Sequence, residues 1–382
     1  MNNFDLIINR RETGSVKWLK YPPDVLPMWV ADMDFLSPPA VTEALSARIN
    51  LGVFGYPQIN NSTKDAVVNW LDKRHQWQVD PEEIIFLPSV VTGFNLAAHA
   101  ATRPGDGILI QEPAYGPFFD VAQNAGIDQH STALSRDNSG RFRLNPDQFL
   151  ADIQDNTRLF MLCNPQNPTG RVFSREELEV VAKASLERDL IVCSDEIHSD
   201  ITYPLHKHIP FAALGPEIAD RTITLISPSK TFNLAGLKSA AAVITNPALR
   251  KKFNQAQQGL VSKNNILGLI ALQAAYSHGT LWLDRLLEYL NQNRLILLDF
   301  LDRELPGLQC FSPQGTFLAW IDCRGTDLSS PQEFFLEKGR VAFNDGKWFG
   351  DNWEGFIRLN FACPRAQLLE GLDRINNALA DR

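Results

Sequence analysis

The chain of 382 residues has little cysteine, no excess of positive charge and no long apolar run. Its five cysteines, Cys163, Cys193, Cys310, Cys323 and Cys363, are scattered and odd in number. That argues against a disulfide framework and against a metal site built from paired thiols. Cys163 and Cys193 end apolar runs and read as buried free thiols, which suits a reducing compartment. Acidic residues outnumber basic ones by 44 to 36, a formal net charge of −8. Such a balance does not resemble the basic surface of a nucleic-acid binder. No uninterrupted apolar stretch is long enough to cross a bilayer. Met1 to Asp5 lacks a basic start followed by an apolar segment, so no signal peptide is expected. These absences lead to the expectation of a cytoplasmic chain with no membrane, nucleic-acid or metal partner.

What is present is an ordinary apolar content of 44%, enough to bury a sizeable core. Apolar runs at Ile84 to Leu87, Gly107 to Gln111, Arg158 to Cys163, Leu190 to Cys193, Thr222 to Ile226 and Ala240 to Ile244 read as strands. Helical spacing separates them. Thr63 to Trp77 carries Ala66, Val67, Trp70 and Leu71 at helical intervals, with Asn61 or Ser62 as its cap. Ser174 to Glu177 is a capping box opening a helix that runs to Glu187. The alternation implies an α/β fold with a mostly parallel sheet, and ligands at the carboxyl ends of its strands. A helix with Leu281, Leu283, Leu286, Leu287 and Leu290 then leads to further strands at Phe317 to Asp322 and Gly355 to Phe361. A last amphipathic helix runs from Ala366 to Leu379. The expected division is a large domain over 48–280, with 1–47 and 281–382 forming an N-terminal arm and a small C-terminal domain.

Four stretches carry the chemistry. Ser227-Pro-Ser-Lys-Thr-Phe-Asn-Leu-Ala-Gly-Leu-Lys238 follows a buried strand and places Lys230 among hydroxyls, where an amine can act as a nucleophile. Asn164-Pro-Gln-Asn-Pro-Thr-Gly170, Ser194-Asp-Glu-Ile-His198 and Phe356-Ile-Arg-Leu-Asn360 each begin in or follow an apolar run. In this order they resemble the fold-type I enzymes of the aminotransferase class I/II superfamily, which use pyridoxal phosphate (PLP). Gly14-Ser-Val-Lys-Trp18, Trp29-Val-Ala-Asp-Met-Asp-Phe35 and Asp195-Glu-Ile-His198 look like the carbon–sulfur lyase branch, the cystathionine β-lyases. The resemblance covers nearly the whole chain.

It implies a role for each residue. Lys230 would bind the cofactor covalently and, once freed, carry the α-proton of the substrate. Asp195 would favour the protonated pyridine nitrogen, with Glu196 the weaker candidate. Asn167 would donate to the phenolic oxygen, Tyr115 would stack on the ring near the substrate, and His198 would approach the oxygen or pack beside the ring. Ser89, Val90 and Val91 would surround the phosphate at a helix start, the valines through backbone N–H. Ser227, Ser229 and Lys238 would add to that phosphate site, and Tyr56 would reach it from the neighbouring subunit of a homodimer with shared active sites. Arg358 would clamp the substrate α-carboxylate. Asp32 and Asp34 read as acids facing water, although the resemblance puts their segment at the active-site entrance, its backbone near the substrate carboxylate.

The implied reaction is α,β-elimination from a small sulfur-containing amino acid such as cystathionine, giving a thiol, pyruvate and ammonia. A class I/II aminotransferase acting with a keto acid acceptor is the alternative. Some relatives in this branch double as repressors of a transcriptional activator, so a regulatory protein partner is a third reading from another class.

Overall fold

The computed structural model describes residues 3–137, 140–262 and 264–382. A seven-stranded sheet forms its centre. In chain order its strands are β1 (Ile84–Leu87), β2 (Gly107–Glu112), β3 (Asp128–Ala133), β4 (Thr157–Cys163), β5 (Ile191–Asp195), β6 (Thr222–Ile226) and β7 (Ala240–Val243). They lie in the order β1-β7-β6-β5-β4-β2-β3. Strands β2 to β6 pair in parallel, while β7 runs antiparallel to β1 and β6. The central strands are buried along nearly their whole length because helices cover both faces, so their sequences are continuous apolar runs.

Because β7 is the single reversed strand, its first residue sits at the edge where its neighbours end. Ala240 is opposite Leu87, the last residue of β1, and Ala241 is opposite Ile226, the last of β6. The residues before β7, Lys238 and Ser239, thereby join those after β1, β4, β5 and β6 on one edge. Cys163 pairs with Asp195 and Asp195 with Leu225 across that edge.

Among the helices, α1 (Pro39–Leu51), α2 (Asn61–His75) and α3 (Val90–Ala101) precede β2, and α4 (Arg175–Glu187) joins β4 to β5. The cap of α2 is Asn60, whose side chain accepts from Thr63 N, and not Asn61 or Ser62, which lie inside the helix. Ser174 makes the expected capping box with Glu177. Helix α5 (Ile266–His278) is followed by α6 (Thr280–Glu304), whose buried stripe is Leu283, Leu286, Leu290, Leu297 and Leu301, with Leu281 exposed. The C-terminal strands β8 (Gln309–Cys310), β9 (Leu318–Asp322), β10 (Asn344–Asp345) and β11 (Phe356–Asn360) form an antiparallel sheet in the order β8-β9-β11-β10. Helix α7 (Arg365–Ala380) ends the chain. No single described helix is long and apolar enough to cross a membrane.

The segment 28–35 bridges the two sheets. Asn360, at the end of β11, donates its amide to Val30 O (2.7 Å) and Asp32 O (2.9 Å). Asn233, just past Lys230, donates to Met33 O (3.0 Å) and Phe35 O (2.8 Å). Asp34 does not face water. It is buried and accepts from Lys17 Nζ (2.7 Å), Arg10 Nη1 (2.8 Å), Trp18 Nε1 (2.9 Å) and Gln367 Nε2 (2.9 Å). Asp32 is partly covered and pairs with Arg10 at 2.9 Å. The basic residues of the arm approach both acids, which sequence spacing alone does not reveal.

Candidate active site

A cavity of about 610 Å³ opens where the carboxyl ends of the large sheet meet the small sheet. Twelve of the thirteen residues expected to contact the cofactor or substrate line it, namely Ser89, Val90, Val91, Tyr115, Asn167, Asp195, His198, Ser227, Ser229, Lys230, Lys238 and, from β11, Arg358. Tyr56 does not. It is 99% exposed on the segment after α1, against a separate surface groove of the same chain.

Lys230 lies in the short helix Pro228–Thr231 after β6, and its Nζ donates to Ala31 O at 2.6 Å. Enclosure by the cavity walls, helped by the nearby Arg358 charge, pushes its amine down to about 8. A sizeable neutral fraction is therefore present near neutral pH. Asp195 ends β5. Burial pushes its carboxyl up to about 7, against the bond it accepts from Ile197 N at 3.1 Å; the adjacent Glu196 charge adds to the rise. Glu196 points elsewhere, accepting from His208 Nε2 (2.7 Å), Ser194 Oγ (2.9 Å) and Phe211 N (2.9 Å). Of the two acids only Asp195 lines the cavity.

Arg358 is buried on β11, opposite Trp320 and Asn344. Its Nη1 donates to Asn167 Oδ1 (2.9 Å), and its Nη2 to Asn344 Oδ1 (2.7 Å) and Trp29 O (3.0 Å). All three acceptors are neutral, Nε has no partner, and no carboxylate pairs with the group among the described residues. Burial pushes it down to about 10. A buried cation without an anion is costly, and a substrate carboxylate would supply the missing charge. The bond to Asn167 Oδ1 also orients that amide, leaving Nδ2 as its free donor.

The opposite end of the cavity suits an anion. Ser89 caps α3, its hydroxyl accepting from Thr92 N at 3.1 Å. The N–H groups of Val90 and Val91 belong to the first turn, which has no intrahelical acceptors. Ser227 already donates its proton to Ser239 O at 2.7 Å and accepts from Ser229 N at 3.1 Å. Ser239 Oγ, by contrast, is buried, unpartnered and lines the cavity. Lys238 adds a cation, held at a left-handed φ of 52°. His198 Nδ1 is likewise buried without a partner, and burial keeps its imidazole well below its ordinary value. Tyr115 lies edge-on to Trp348, 5.3 Å between centroids.

Ser239, Asn344 and Trp348 were not singled out from the sequence. Ser239 follows Lys238 directly and could have been found from that neighbour. Asn344 and Trp348 carry no local signal, because only the pairing of β10 with β11 brings them to Arg358. Segment 29–31 does reach the site, but its carbonyls hold the two cations. Among the described residues no group of His, Cys, Asp and Glu side chains could hold a metal ion.

The family model described as "Aminotransferase class I and II" matches residues 23–375. The chain is 42% identical to "Cystathionine beta-lyase PatB" of Bacillus subtilis, over 99% of this chain and all of that one. Among solved structures it is similar to cystalysin from Treponema denticola, with a TM-score of 0.96 and 32% identity, covering 100% of this chain and 99% of that one. A PLP-bound C-S lyase from Staphylococcus hominis gives a TM-score of 0.94 and 35% identity, with the same coverage. A match that spans both sheets, the bridging segment and every residue expected to hold the cofactor or substrate means that this chain belongs to the aminotransferase class I and II family.

Proposed function

We propose that the chain is a PLP-dependent carbon–sulfur β-lyase that eliminates the sulfur arm from cystathionine or related cysteine S-conjugates. The observation that carries the reading is the meeting, in one cavity, of a partly neutral Lys230, a buried Asp195 and an Arg358 that lacks an anion. These residues fit the cofactor. Lys230 would bind it covalently, the Asp195 carboxylate would pair with the protonated ring nitrogen, Asn167 Nδ2 would donate to its phenolic oxygen, and Tyr115 would flank the ring, with His198 nearby. Ser89, the backbone N–H groups of Val90 and Val91, Ser229 and Lys238 would hold the phosphate, joined by the orphaned Ser239 hydroxyl and by Ser227 once its proton turns away from Ser239 O. Bound PLP supplies an electron sink that stabilises negative charge at the substrate α-carbon.

The chain's own residues do the rest. Arg358 holds the α-carboxylate and so fixes which substituent faces Lys230. The Lys230 amine, neutral in part near pH 8, takes the α-proton. The β-carbon–sulfur bond then breaks, the sulfur leaves as a thiol with the proton that Lys230 took, and water hydrolyses the remaining three-carbon fragment to pyruvate and ammonia. The carbon–sulfur specificity rests on the relatives named above. A role in protein binding alone is disfavoured by a cavity that keeps buried charges unpaired. The expected compartment is the reducing cytoplasm, in keeping with five cysteines that are all free.

The test is product analysis with L-cystathionine. Pyruvate, ammonia and a thiol should form without an added keto acid, while L-alanine, having no leaving group, should give only slow half-transamination. Rapid turnover of ordinary amino acids that requires a keto acid, with no thiol from cystathionine, would establish the aminotransferase instead.

We propose further that the enzyme is a homodimer in which Tyr56 completes the partner's phosphate site. Leu51, Val53 and Phe54 beside it are also exposed, an apolar surface of the kind that a second subunit covers. Mixed dimers of Lys230→Ala and Tyr56→Ala protomers should regain activity through one site free of both changes. Heterodimers that form and stay inactive, with Tyr56→Ala alone damaging, would rule out sharing.

A further inference from the structure

The mouth of the cavity holds a further cation that no ion pair holds among the described residues. Lys20 lines it, with Nζ 4.3 Å from the centroid of the Trp29 ring and 5.4 Å from that of Tyr21. No carboxylate pairs with it among the described residues. Most exposed lysines lose substantial side-chain freedom on binding an anion. This one is already seated, and its seat is fixed. Trp29 Nε1 donates to Lys17 O at 3.1 Å, and Tyr21 meets the Trp29 ring edge-on at 6.1 Å. The backbone of Lys20 closes the helix Val16–Leu19, its N–H donating to Val16 O.

Trp29 also connects this cation to the floor of the cavity, since its carbonyl accepts from Arg358 Nη2 at 3.0 Å. One residue thus supports the inner cation with its backbone and the outer one with its ring. A ligand with one carboxylate satisfies only the inner cation. A ligand with a carboxylate at each end satisfies both. Asp345, from β10, lines the same cavity and gives it an acid.

We propose that Lys20, on its Trp29 seat, is a distal carboxylate site. The preferred substrates are then β-thioether amino acids whose sulfur arm itself ends in a carboxylate, with a distal ammonium, where there is one, falling to Asp345. The inference rests on the lyase reading for the identity of the reacting bond, and on the two cations alone for the shape of the ligand.

The test compares two arms of similar size in the holoenzyme, S-(2-carboxyethyl)-L-cysteine and S-propyl-L-cysteine, by thiol release. Wild type should favour the acid arm in kcat/KM. Lys20→Gln should lower that preference about fivefold to thirtyfold, through KM, and Lys20→Arg should keep most of it. A preference that Lys20→Gln moves by less than about twofold overturns the proposal. A second measurement does not need turnover. Calorimetric titration of the holoenzyme should show heptanedioate binding more tightly than hexanoate, and Lys20→Gln should remove the difference. If neither thioether releases a thiol, the lyase reading falls, and the titration decides Lys20 by itself. A lost difference supports the site, and an unchanged one overturns it.

Discussion

Two groups of buried charge lie close together in this chain and differ in one respect. In the arm, Lys17, Arg10, Asp32 and Asp34 form a closed cluster. Burial would raise the Asp34 carboxyl, but the Lys17 charge and hydrogen bonds outweigh it and hold the group below its usual value. In the cavity, Lys230, Asp195 and Arg358 are shifted the other way, each towards its uncharged form, and burial is the main cause in all three. Both groups are removed from water, so burial of charge does not by itself mark a site. What separates them is completion. The arm's charges have all found partners, whereas the cavity leaves Arg358 without an anion and Ser239 Oγ and His198 Nδ1 without hydrogen bonds. Those open positions are where, on the proposed function, a cofactor and a substrate would gain their binding energy.

The contrast can be broken most severely at Lys230. Lys230→Ala should cut thiol release by about 10²–10⁴-fold, since it removes the proposed carrier of the α-proton, while the denaturation midpoint of the cofactor-free protein should hold or rise. Arg358→Ala should follow at roughly 30-fold to several-thousand-fold in kcat/KM, for the loss of a charged hydrogen-bond pair with the substrate. The opposite pattern is expected in the arm. Asp34→Ala leaves Lys17 buried without its acid and should cost on the order of 3–5 kcal/mol in urea unfolding. Its kcat/KM, measured where the variant is folded, should fall far less than that of Arg358→Ala. Equal losses of stability at Asp34 and Arg358 would erase the distinction.

The finest test uses pH. Asp195 has a folded value, about 7, above that of an unfolded aspartate. Between roughly pH 4 and 7 the folded, cofactor-free protein therefore binds more protons at this group than the unfolded chain does. Its contribution to stability then falls as pH rises through that window, and the penalty is complete above it. Asp34 behaves in the reverse sense, stabilising above its unfolded value and losing that contribution as pH falls through its lowered folded one. Cofactor-free Asp195→Asn should accordingly be more stable than wild type at pH 8. The gap should narrow towards pH 5 by roughly 1.4 kcal/mol per unit below 7. A gap independent of pH would mean that Asp195 is not the strained acid of the cavity.

Much of this was legible before any coordinates. The strand runs at Thr222–Ile226 and Arg158–Cys163 stand out because both faces of the sheet are covered, and full burial demands continuous apolar sequence. The Ser174 capping box is local chemistry and was equally plain. Asn60 was missed as the cap of α2 because Asn60, Asn61 and Ser62 can all cap, and only the backbone angles at Asn60 choose between them.

Motif order, through the family it resembles, pointed to the class of fold and the cofactor and to Lys230 as the residue proposed to bind it, since each motif is made of residues adjacent in the chain. Partnership between distant residues was decided in three dimensions. Nothing near Asp34 in sequence says that Lys17 and Gln367 will enclose it, and nothing near Arg358 announces Asn344 or the carbonyl of Trp29. The reversed course of β7, which delivers Lys238 and Ser239 to the end of the cavity beside Ser89 and Ser227, depends on pairing with β1 and β6. Apolar spacing records which faces of an element are buried but is the same for either direction of a strand. Which charges are completed, and which are left open for a ligand, is therefore a property of the assembled chain.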